Sequence, residues 1–329
     1  MKCIGFESKI LFALASIVLG FSGCTEKEIP VLPHTPGDIT LSKVIIGSDY
    51  GTQLYFNLSS NEVVSSNENY VWDIAFNVSD SKTFARINSS KFMSAAKTSH
   101  PIYNQILSLE ELSSFEFNYD DGTGILENSP IGDLNDGSEL LIIDLGYDAD
   151  NNAIGQLRLQ VDSVTTDGYY FRYGDLELTY DSIVFISRDL EREWVHFSFT
   201  NHETLLLEPK IGDYDLLFTR YTEILNDTIG YQVVGVQSPP SGMYISDNPQ
   251  HTFEEIKTAN WDTLSFTPFW NEIGYDWKIY DFDAEEYSVD SERCFAILCS
   301  DGREFVMRLI DFYDEVGNRG TVTLESVER

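Results

Sequence analysis

Two methionines at matched positions are the residues whose type and spacing best suit ligand chemistry. Met93 lies in FMSAAKTSH and Met243 lies in GMYISDNPQH, and each is followed by a histidine, His100 or His251. Thioether sulfur and imidazole nitrogen both bind soft metal ions and haem iron. Methionine also fills gaps in hydrophobic cores, and this is its commoner use. The residues alone leave both interpretations open.

The two methionines correspond because the chain contains an internal repeat. QLYFNLSSNEVVSSNENYVWD (53–73) aligns without gaps with VHFSFTNHETLLLEPKIGDYD (195–215), at an offset of 142 residues. FMSAAKTSHPIYNQI (92–106) aligns with GMYISDNPQHTFEEI (242–256), at an offset of 150 residues. Self-similarity at a nearly fixed offset indicates that one structural unit has been duplicated.

The fold class predicted from the residue pattern is all-β with minor helix. Short alternating runs rich in Val, Ile, Thr, Tyr and Phe, separated by turn signals such as SSN, DG and GN, are typical of strands. Short helices are expected around PIYNQILSLEEL and HTFEEI. With the repeat, this predicts two tandem related antiparallel β units at 41–190 and 191–329. Their equivalent loops, with Met93 and Met243, are expected to face a shared cleft.

A motif of an aromatic residue, an aspartate and a phenylalanine occurs in both copies, as VWDIAF and DYDLLF. Strand alternation places Trp72, Ile74 and Phe76 on one buried face, and the second motif repeats that face. The aspartates, Asp73 and Asp215, are predicted to accept hydrogen bonds from nearby backbone amides. A catalytic aspartate is the less common alternative.

The N-terminus carries a processing signal that ends at a cysteine. A basic start precedes an apolar run at 10–20 that is too short to span a bilayer, and FSGC resembles the lipobox of bacterial lipoproteins. We predict a lipoprotein signal peptide over 1–23, a lipid anchor on Cys24 and a proline-rich tether over 24–40. An ordinary secretory signal cut near Gly23 is the alternative.

The composition is strongly acidic, with a formal net charge of −33 at pH 7. Such a charge repels phosphate backbones, so a nucleic-acid partner is not expected, and contact with the membrane is expected through the lipid anchor only. Cys294 and Cys299 remain after processing. If CFAILC is one strand, they are too far apart for a disulfide and lie on opposite faces. We predict two buried free thiols.

Sequence signatures of catalysis are absent. The chain contains no GxSxG, no HExxH and no phosphate-cradling glycine loop, and no two of its five histidines have metal-ligand spacing. We therefore predict a protein that is not an enzyme, with a glycosidase carboxylate pair as an alternative. Asp148, Asp150 and Asn152 resemble the start of a calcium loop. That loop lacks its glycine and its bidentate glutamate, so a solvated hairpin turn is expected.

The motif YVWDIAF, and SDGREFVMRLIDFYDEVGNRG near the C-terminus, resemble the HmuY-type lipoproteins of Bacteroidetes. This resemblance implies an all-β, surface-exposed or outer-membrane lipoprotein that binds haem and passes it to a TonB-dependent importer. It also implies two axial side chains on the haem, His in some members and Met in others. On that basis we predict Met93 and Met243 as the axial pair, with His100 and His251 as alternates.

The predicted function is a lipid-anchored haem- or tetrapyrrole-binding protein that serves iron acquisition. A non-catalytic surface module for glycan or protein ligands is the alternative, since 5 Trp and 18 Tyr could form stacking platforms for sugar rings. An apolar cleft shared by Met93 and Met243 would favour haem. An exposed aromatic strip elsewhere would favour a glycan.

Overall fold

Antiparallel β-structure dominates the computed structural model, which describes residues 37–78, 83–134, 139–226 and 228–329. These residues belong to one compact unit. The predicted signal peptide, Cys24 and most of the tether lie outside the described residues. Within the part of the chain that is described, none of the helices has the length and apolar character needed to cross a bilayer. The all-β prediction with minor helix is confirmed.

In the described residues, the secondary structure consists of short strands with two short α-helices and three single-turn 3₁₀ helices. The strands are β1 (Thr40–Ile45), β2 (Thr52–Asn57), β3 (Glu62–Glu68), β4 (Ile74–Asn77), β5 (Ala85–Ile87), β6 (Ser94–Lys97), β7 (Asn118–Tyr119), β8 (Leu141–Asp144), β9 (Gln156–Val164), β10 (Gly168–Gly174), β11 (Asp181–Ser187), β12 (Trp194–Ser198), β13 (Glu203–Leu205), β14 (Leu216–Leu225), β15 (Ile229–Gln237), β16 (Tyr244–Asn248), β17 (Lys278–Asp281), β18 (Glu286–Val289), β19 (Cys294–Leu298), β20 (Glu304–Tyr313) and β21 (Arg319–Glu328). The helices are α1 (Leu109–Ser114), α2 (Phe253–Thr258) and the 3₁₀ turns Ser89–Lys91, Leu126–Asn128 and Trp261–Thr263.

The described strands form four sheets and one separate hairpin, β17 with β18. The two larger sheets are a six-stranded sheet, β11-β10-β9-β8-β6-β7, and a five-stranded sheet, β1-β21-β20-β19-β16. The two smaller sheets have four strands each, and we call them the inner sheets. The first inner sheet is β13-β12-β4-β5, and the second inner sheet is β15-β14-β2-β3.

Each inner sheet packs one of its faces against a larger sheet. Ile74 and Phe76 of the first inner sheet share a hydrophobic core with Phe171 of the six-stranded sheet. Phe56 of the second inner sheet shares another core with Phe295 of the five-stranded sheet. Burial of each such side chain contributes about 1.5–3 kcal/mol to folding. Because side chains alternate along a strand, the opposite face of each inner sheet is left for other contacts.

The inner sheets arise from a reciprocal exchange of strands between the two copies of the repeat. Strand β4 of the first copy pairs with β12 of the second, and β14 of the second copy pairs with β2 of the first. Each inner sheet therefore combines strands from 41–190 with strands from 191–329. The boundary between those two ranges stays a prediction.

Asp73 fixes the start of β4 to β12. Its backbone N–H donates to the Phe197 carbonyl at 2.9 Å, and its Oδ2 accepts the Phe199 N–H at 2.7 Å. Its other oxygen pairs with the Lys91 ammonium, and both side chains are buried. The prediction that this carboxylate binds backbone amides is confirmed.

Asp215 makes the same arrangement in the second copy. Its N–H donates to the Phe56 carbonyl at 2.9 Å, its Oδ2 accepts the Leu58 N–H at 2.7 Å, and its Oδ1 lies 3.3 Å from Arg303 Nη2. Phe56 and Leu58 correspond to the partners of Asp73 at an offset of 141 residues. The gap-free alignment at 142 residues is therefore wrong by one residue in this strand. The second copy has one more residue between the strand and the aspartate.

Alternation predicts that Trp72 and Tyr214 share the buried face of Phe76 and Phe218, and this prediction is wrong. Both aromatic side chains line a cavity on the opposite side of the inner sheets. The regular strands begin only at Ile74 and Leu216. The aromatic residues precede these strands, so the period of two does not extend to them.

The two thiols lie on opposite sides of β19, as predicted. Cys294 packs in a cluster with Phe253 of α2, whereas Cys299 joins the core of the second inner sheet. Both are buried and free.

Each α-helix begins with a capping box. Ser108 and Glu111 form it in α1, and Thr252 and Glu255 form it in α2. The first helix therefore starts at Leu109, later than the predicted segment, because Ser108 satisfies its first amides.

Asp73→Asn should destabilise the protein more than Asp215→Asn. The first change leaves the buried Lys91 ammonium without a counter-ion, which typically costs about 3–5 kcal/mol. In the second, Arg303 keeps Asp301 at 2.5 Å, so the expected cost is about 1–3 kcal/mol. Urea unfolding monitored by tryptophan fluorescence gives both free energies. Equal losses, or a larger loss for Asp215→Asn, would contradict this assignment.

Candidate functional site

A central cavity of about 80 Å³ lies between the inner sheets. Its wall combines polar, aromatic and aliphatic side chains from both sheets: Ala75, Arg86, Trp194 and His196 from the first, and Gln53, Tyr55, Leu217 and Thr219 from the second. The cavity thus belongs to neither copy of the repeat alone. It exists because strands of the two copies are exchanged.

Aromatic contacts fix the polar groups along this wall. The Trp72 ring meets the His196 ring edge-on at 4.7 Å, and Trp194 meets Trp270 edge-on at 6.3 Å. The Arg86 guanidinium lies over the Trp270 ring at 4.2 Å. A cation–π contact of this kind contributes about 0.5–2 kcal/mol. It holds the charge of Arg86 at the edge of the cavity.

Glu208 is a buried carboxyl group on the same wall. The Tyr214 hydroxyl donates to its Oε1 at 2.5 Å, and the Trp194 backbone N–H donates to its Oε2 at 2.7 Å. Tyr214 also packs edge-on against Tyr55, with ring centroids 5.0 Å apart. Burial outweighs these donors and raises the pKa of Glu208 to about 8. The carboxyl group is therefore mostly protonated at neutral pH.

His196 is an uncharged imidazole in the cavity wall. Burial lowers its pKa to about 3, since no carboxylate compensates for the loss of water. Its Nδ1 has no hydrogen-bond partner among the described residues. The same holds in that part of the chain for Trp194 Nε1, Arg86 Nη1 and Arg220 Nε. All four side chains line the central cavity.

An apolar groove of about 470 Å³ adjoins the central cavity at Trp270, which lines both. The groove also contains the predicted ligand Met243. Its other apolar lining residues are Phe84, Ile125, Leu126, Pro240, Pro268 and Phe269.

Gly124 lets the chain pass close to the face of Trp270 in this groove. Its φ is +74°, and a Cβ there would lie 2.4 Å from the Trp270 ring. Only glycine combines this backbone conformation with so close an approach. The backbone N–H of Trp270 also donates to the Thr123 carbonyl at 2.9 Å, and this bond holds the two segments together.

The structure does not bring the four predicted ligands together, and the expectation that Met93 and Met243 face a shared cleft is wrong. Met93 is buried in the core of the six-stranded and first inner sheets, whereas Met243 belongs to the core of the second inner sheet and borders the apolar groove. His100 lies 3.7 Å from Glu111 at α1. His251 is exposed just before α2. The assignment of these residues as haem ligands stays a prediction.

A second groove, of about 530 Å³, is rich in aromatic side chains. Phe282 is 84% exposed and Tyr231 is 50% exposed. Tyr280 packs against Phe282 and Tyr287, with ring centroids 5.1 and 4.9 Å apart. We call this surface the tyrosine groove. It has the exposed aromatic character that sugar rings stack on.

Metal-binding geometry is not found among the described side chains. No group of three or more His, Cys, Asp or Glu residues in the described ranges converges on one point. Asp148, at the start of the calcium-like segment, instead accepts the N–H groups of Asp150 and Asn152 at 3.0 and 2.8 Å. Its carboxylate closes an exposed turn, as predicted.

His196 is one of several site residues that the sequence interpretation missed. The signal was present in WVHFSF, where Trp194 and His196 alternate with the apolar Val195 and Phe197. Alternation places this Trp and His on the face away from the core. What the sequence does not reveal is that a second sheet covers that face and buries the imidazole.

Antiparallel sheets with concave sites between and beside them define an all-β protein of a kind suited to small ligands. The chain belongs to the HmuY protein family, whose sequence pattern matches residues 49–325. This confirms the resemblance seen in YVWDIAF and in the C-terminal strand pair.

The chain is also similar to several solved structures. Apo PinO from Porphyromonas gingivitis has 7% identity and a TM-score of 0.35, with 88% of this chain and 97% of that chain covered. A Bacteroides vulgatus protein described as HmuY-like and haem-binding has 13% identity and a TM-score of 0.26, with coverages of 42% and 86%. The apo HmuY analog TFO from Tannerella forsythia has 10% identity and a TM-score of 0.27, with coverages of 53% and 94%. No curated protein sequence matches the chain.

Glu208→Gln should make the protein less sensitive to alkaline pH. The folded pKa of Glu208, about 8, lies above its ordinary value of 4.5, so the folded state holds a proton that the unfolded state releases between these values. Stability is therefore lost as pH rises through this window, by at most about 1.4 kcal/mol per pH unit from this group. Glutamine mimics the protonated form and removes that loss. The check is urea unfolding of both proteins at pH 5 and pH 8, where an unchanged pH slope in the variant would refute the assignment.

Proposed function

We propose that this protein binds haem or a related tetrapyrrole and serves haem acquisition without catalysing a reaction. A lipid on Cys24 would hold it at the outer membrane or cell surface, where it passes haem to a TonB-dependent importer. Membership of the HmuY family over residues 49–325 supports this proposal. The importer is part of the proposal because the family resemblance implies it.

The apolar groove is the observation that carries the proposal. Its volume of about 470 Å³ falls within the range typical of small-molecule sites, about 300–1,000 Å³. Its walls include aromatic, aliphatic and proline side chains, which suit the faces of a flat macrocycle, together with the polar residues Thr123, Glu127 and Ser241. The Met243 thioether is a ligand that haem iron accepts.

The apolar groove contains only one of the two methionines that were predicted as the axial pair. Met243 lines it, whereas Met93 lies in a different core and the two histidines lie at the helix starts. We therefore assign iron ligation to Met243.

Met243→Leu should weaken haem binding at least tenfold and shift the Soret band, whereas Met93→Leu should leave both unchanged. Leucine keeps the volume and apolar character of methionine but removes the sulfur, and such exchanges usually cost less than about 1.5 kcal/mol in stability. Loss of an iron ligand bond worth more than about 1.4 kcal/mol lowers affinity tenfold. Absorbance titration of the purified full-length protein with haem, before and after reduction with dithionite, measures both effects.

Two outcomes would contradict this assignment. Equal weakening by Met93→Leu and Met243→Leu would restore the methionine pair as ligands. The absence of a Soret shift in either redox state would end the haem proposal. It would favour the second candidate function, a non-catalytic module for glycan or protein ligands, for which the exposed tyrosine groove is the supporting observation.

Cys24→Ala should release the protein from the membrane fraction and reduce growth when haem is the sole iron source. The variant has no thiol at this position for acylation, and lipid chains are the proposed anchor. Metabolic labelling with palmitate, followed by cell fractionation, measures the anchor separately from growth. Labelling that persists in the variant would contradict the anchor. Normal growth of cells that lack the whole protein would contradict a role in haem acquisition.

A further inference from the structure

Four side chains that line the central cavity carry buried nitrogen atoms without a hydrogen-bond partner among the described residues, and the haem proposal does not use them. Trp194 and His196 are only 5% and 6% exposed, and Trp194 Nε1 and His196 Nδ1 lack a hydrogen-bond partner among the described residues. Arg86 Nη1 and Arg220 Nε, on the same wall, are also buried and unpaired within those ranges. Buried polar atoms in native proteins are nearly always hydrogen-bonded, so a group of four in one cavity needs an explanation.

These nitrogen atoms share one chemical character. The indole and guanidinium nitrogens can only donate hydrogen bonds. The imidazole of His196 is neutral and donates from Nδ1 in one of its two tautomers. A partner that satisfies all four groups must therefore accept hydrogen bonds.

The charges around the cavity favour a negative partner. Arg86 and Arg220 contribute two guanidinium groups, and Glu208 is the acidic side chain on the described wall. Glu208 is already engaged by Tyr214 and the Trp194 backbone. Asp120, which does not line the cavity, lies 3.9 Å from Arg86 Nε and leaves Nη1 unpaired.

The size of the cavity limits the partner to a few atoms. A cavity of about 80 Å³ has room for a few water molecules or one small anion, and none for a macrocycle. We propose that the central cavity binds one small monovalent anion, a halide or a short carboxylate, through the N–H groups of Trp194, His196, Arg86 and Arg220. The net charge of −33 repels anions from the surface in general, so these local donors must account for the binding.

A bound anion would join the two inner sheets. Trp194, His196 and Arg86 belong to the first inner sheet, and Arg220 belongs to the second. An anion that binds the folded state and not the unfolded state raises stability by mass action, and the rise depends on its concentration relative to the dissociation constant. The anion therefore stabilises the contact between the two sheets.

Bromide is the probe, because it is small, monovalent and located directly by anomalous diffraction. Crystals of the full-length protein grown in sodium bromide should show an anomalous peak in the central cavity within hydrogen-bond distance of Trp194 Nε1. In solution, sodium bromide should replace sodium gluconate at constant ionic strength while the thermal midpoint is measured. The midpoint should rise saturably, since gluconate is too large for the cavity.

Two variants test the donors, and a third is the control. Arg86→Gln and Trp194→Phe should each weaken bromide binding at least tenfold, because each removes one donor to a charged acceptor. Arg329→Gln removes the same charge as Arg86→Gln at a site far along the chain, where Arg329 pairs with Glu304, and should leave the bromide response unchanged. Identical responses in all four proteins would overturn the proposal. Water in place of bromide in the crystal cavity would also overturn it, even if the variants failed to fold.

Discussion

This structure depends on a buried carboxylate that accepts a hydrogen bond from the other copy of the repeat. Asp73 is 2% exposed, and a charge so deep in a core persists only with a counter-ion and hydrogen bonds. Lys91 is the counter-ion. The Phe199 amide, which lies 126 residues after Asp73 in the chain, donates a hydrogen bond. Burial of the charge and exchange of the strands therefore occur together. Asp215 repeats this coupling in the opposite direction.

The exchange divides each inner sheet into two chemically different faces. The face toward the larger sheet is apolar and is filled by side chains such as Phe76 and Phe218. The other face meets the other inner sheet and carries tryptophan, tyrosine, histidine and arginine. This polar layer is buried without being a hydrophobic core. Two separate parts of the chain position the groups of this layer. Some of its polar atoms have no hydrogen-bond partner among the described residues.

Duplication gave the two methionines the same local position without bringing them together. Met93 and Met243 each precede a strand, β6 or β16, and each is buried under it. The two strands belong to different larger sheets, so each sulfur packs in a different core. Equivalence in a repeat predicts a similar environment. Proximity depends on where the axis relating the copies lies, and the pattern of residues does not contain that information.

The sequence by itself determined the features that depend on neighbouring residues. Alternating runs identified the strands, and the spacing in CFAILC placed Cys294 and Cys299 on opposite faces. Only the tertiary structure decided that β4 pairs with β12, that Trp72 turns away from Phe76, and that His196 lines a buried cavity. Alternation is a local property of the backbone. The choice of strand partner rests on hydrogen bonds between residues more than a hundred positions apart, and it is this choice that covers a face or exposes it.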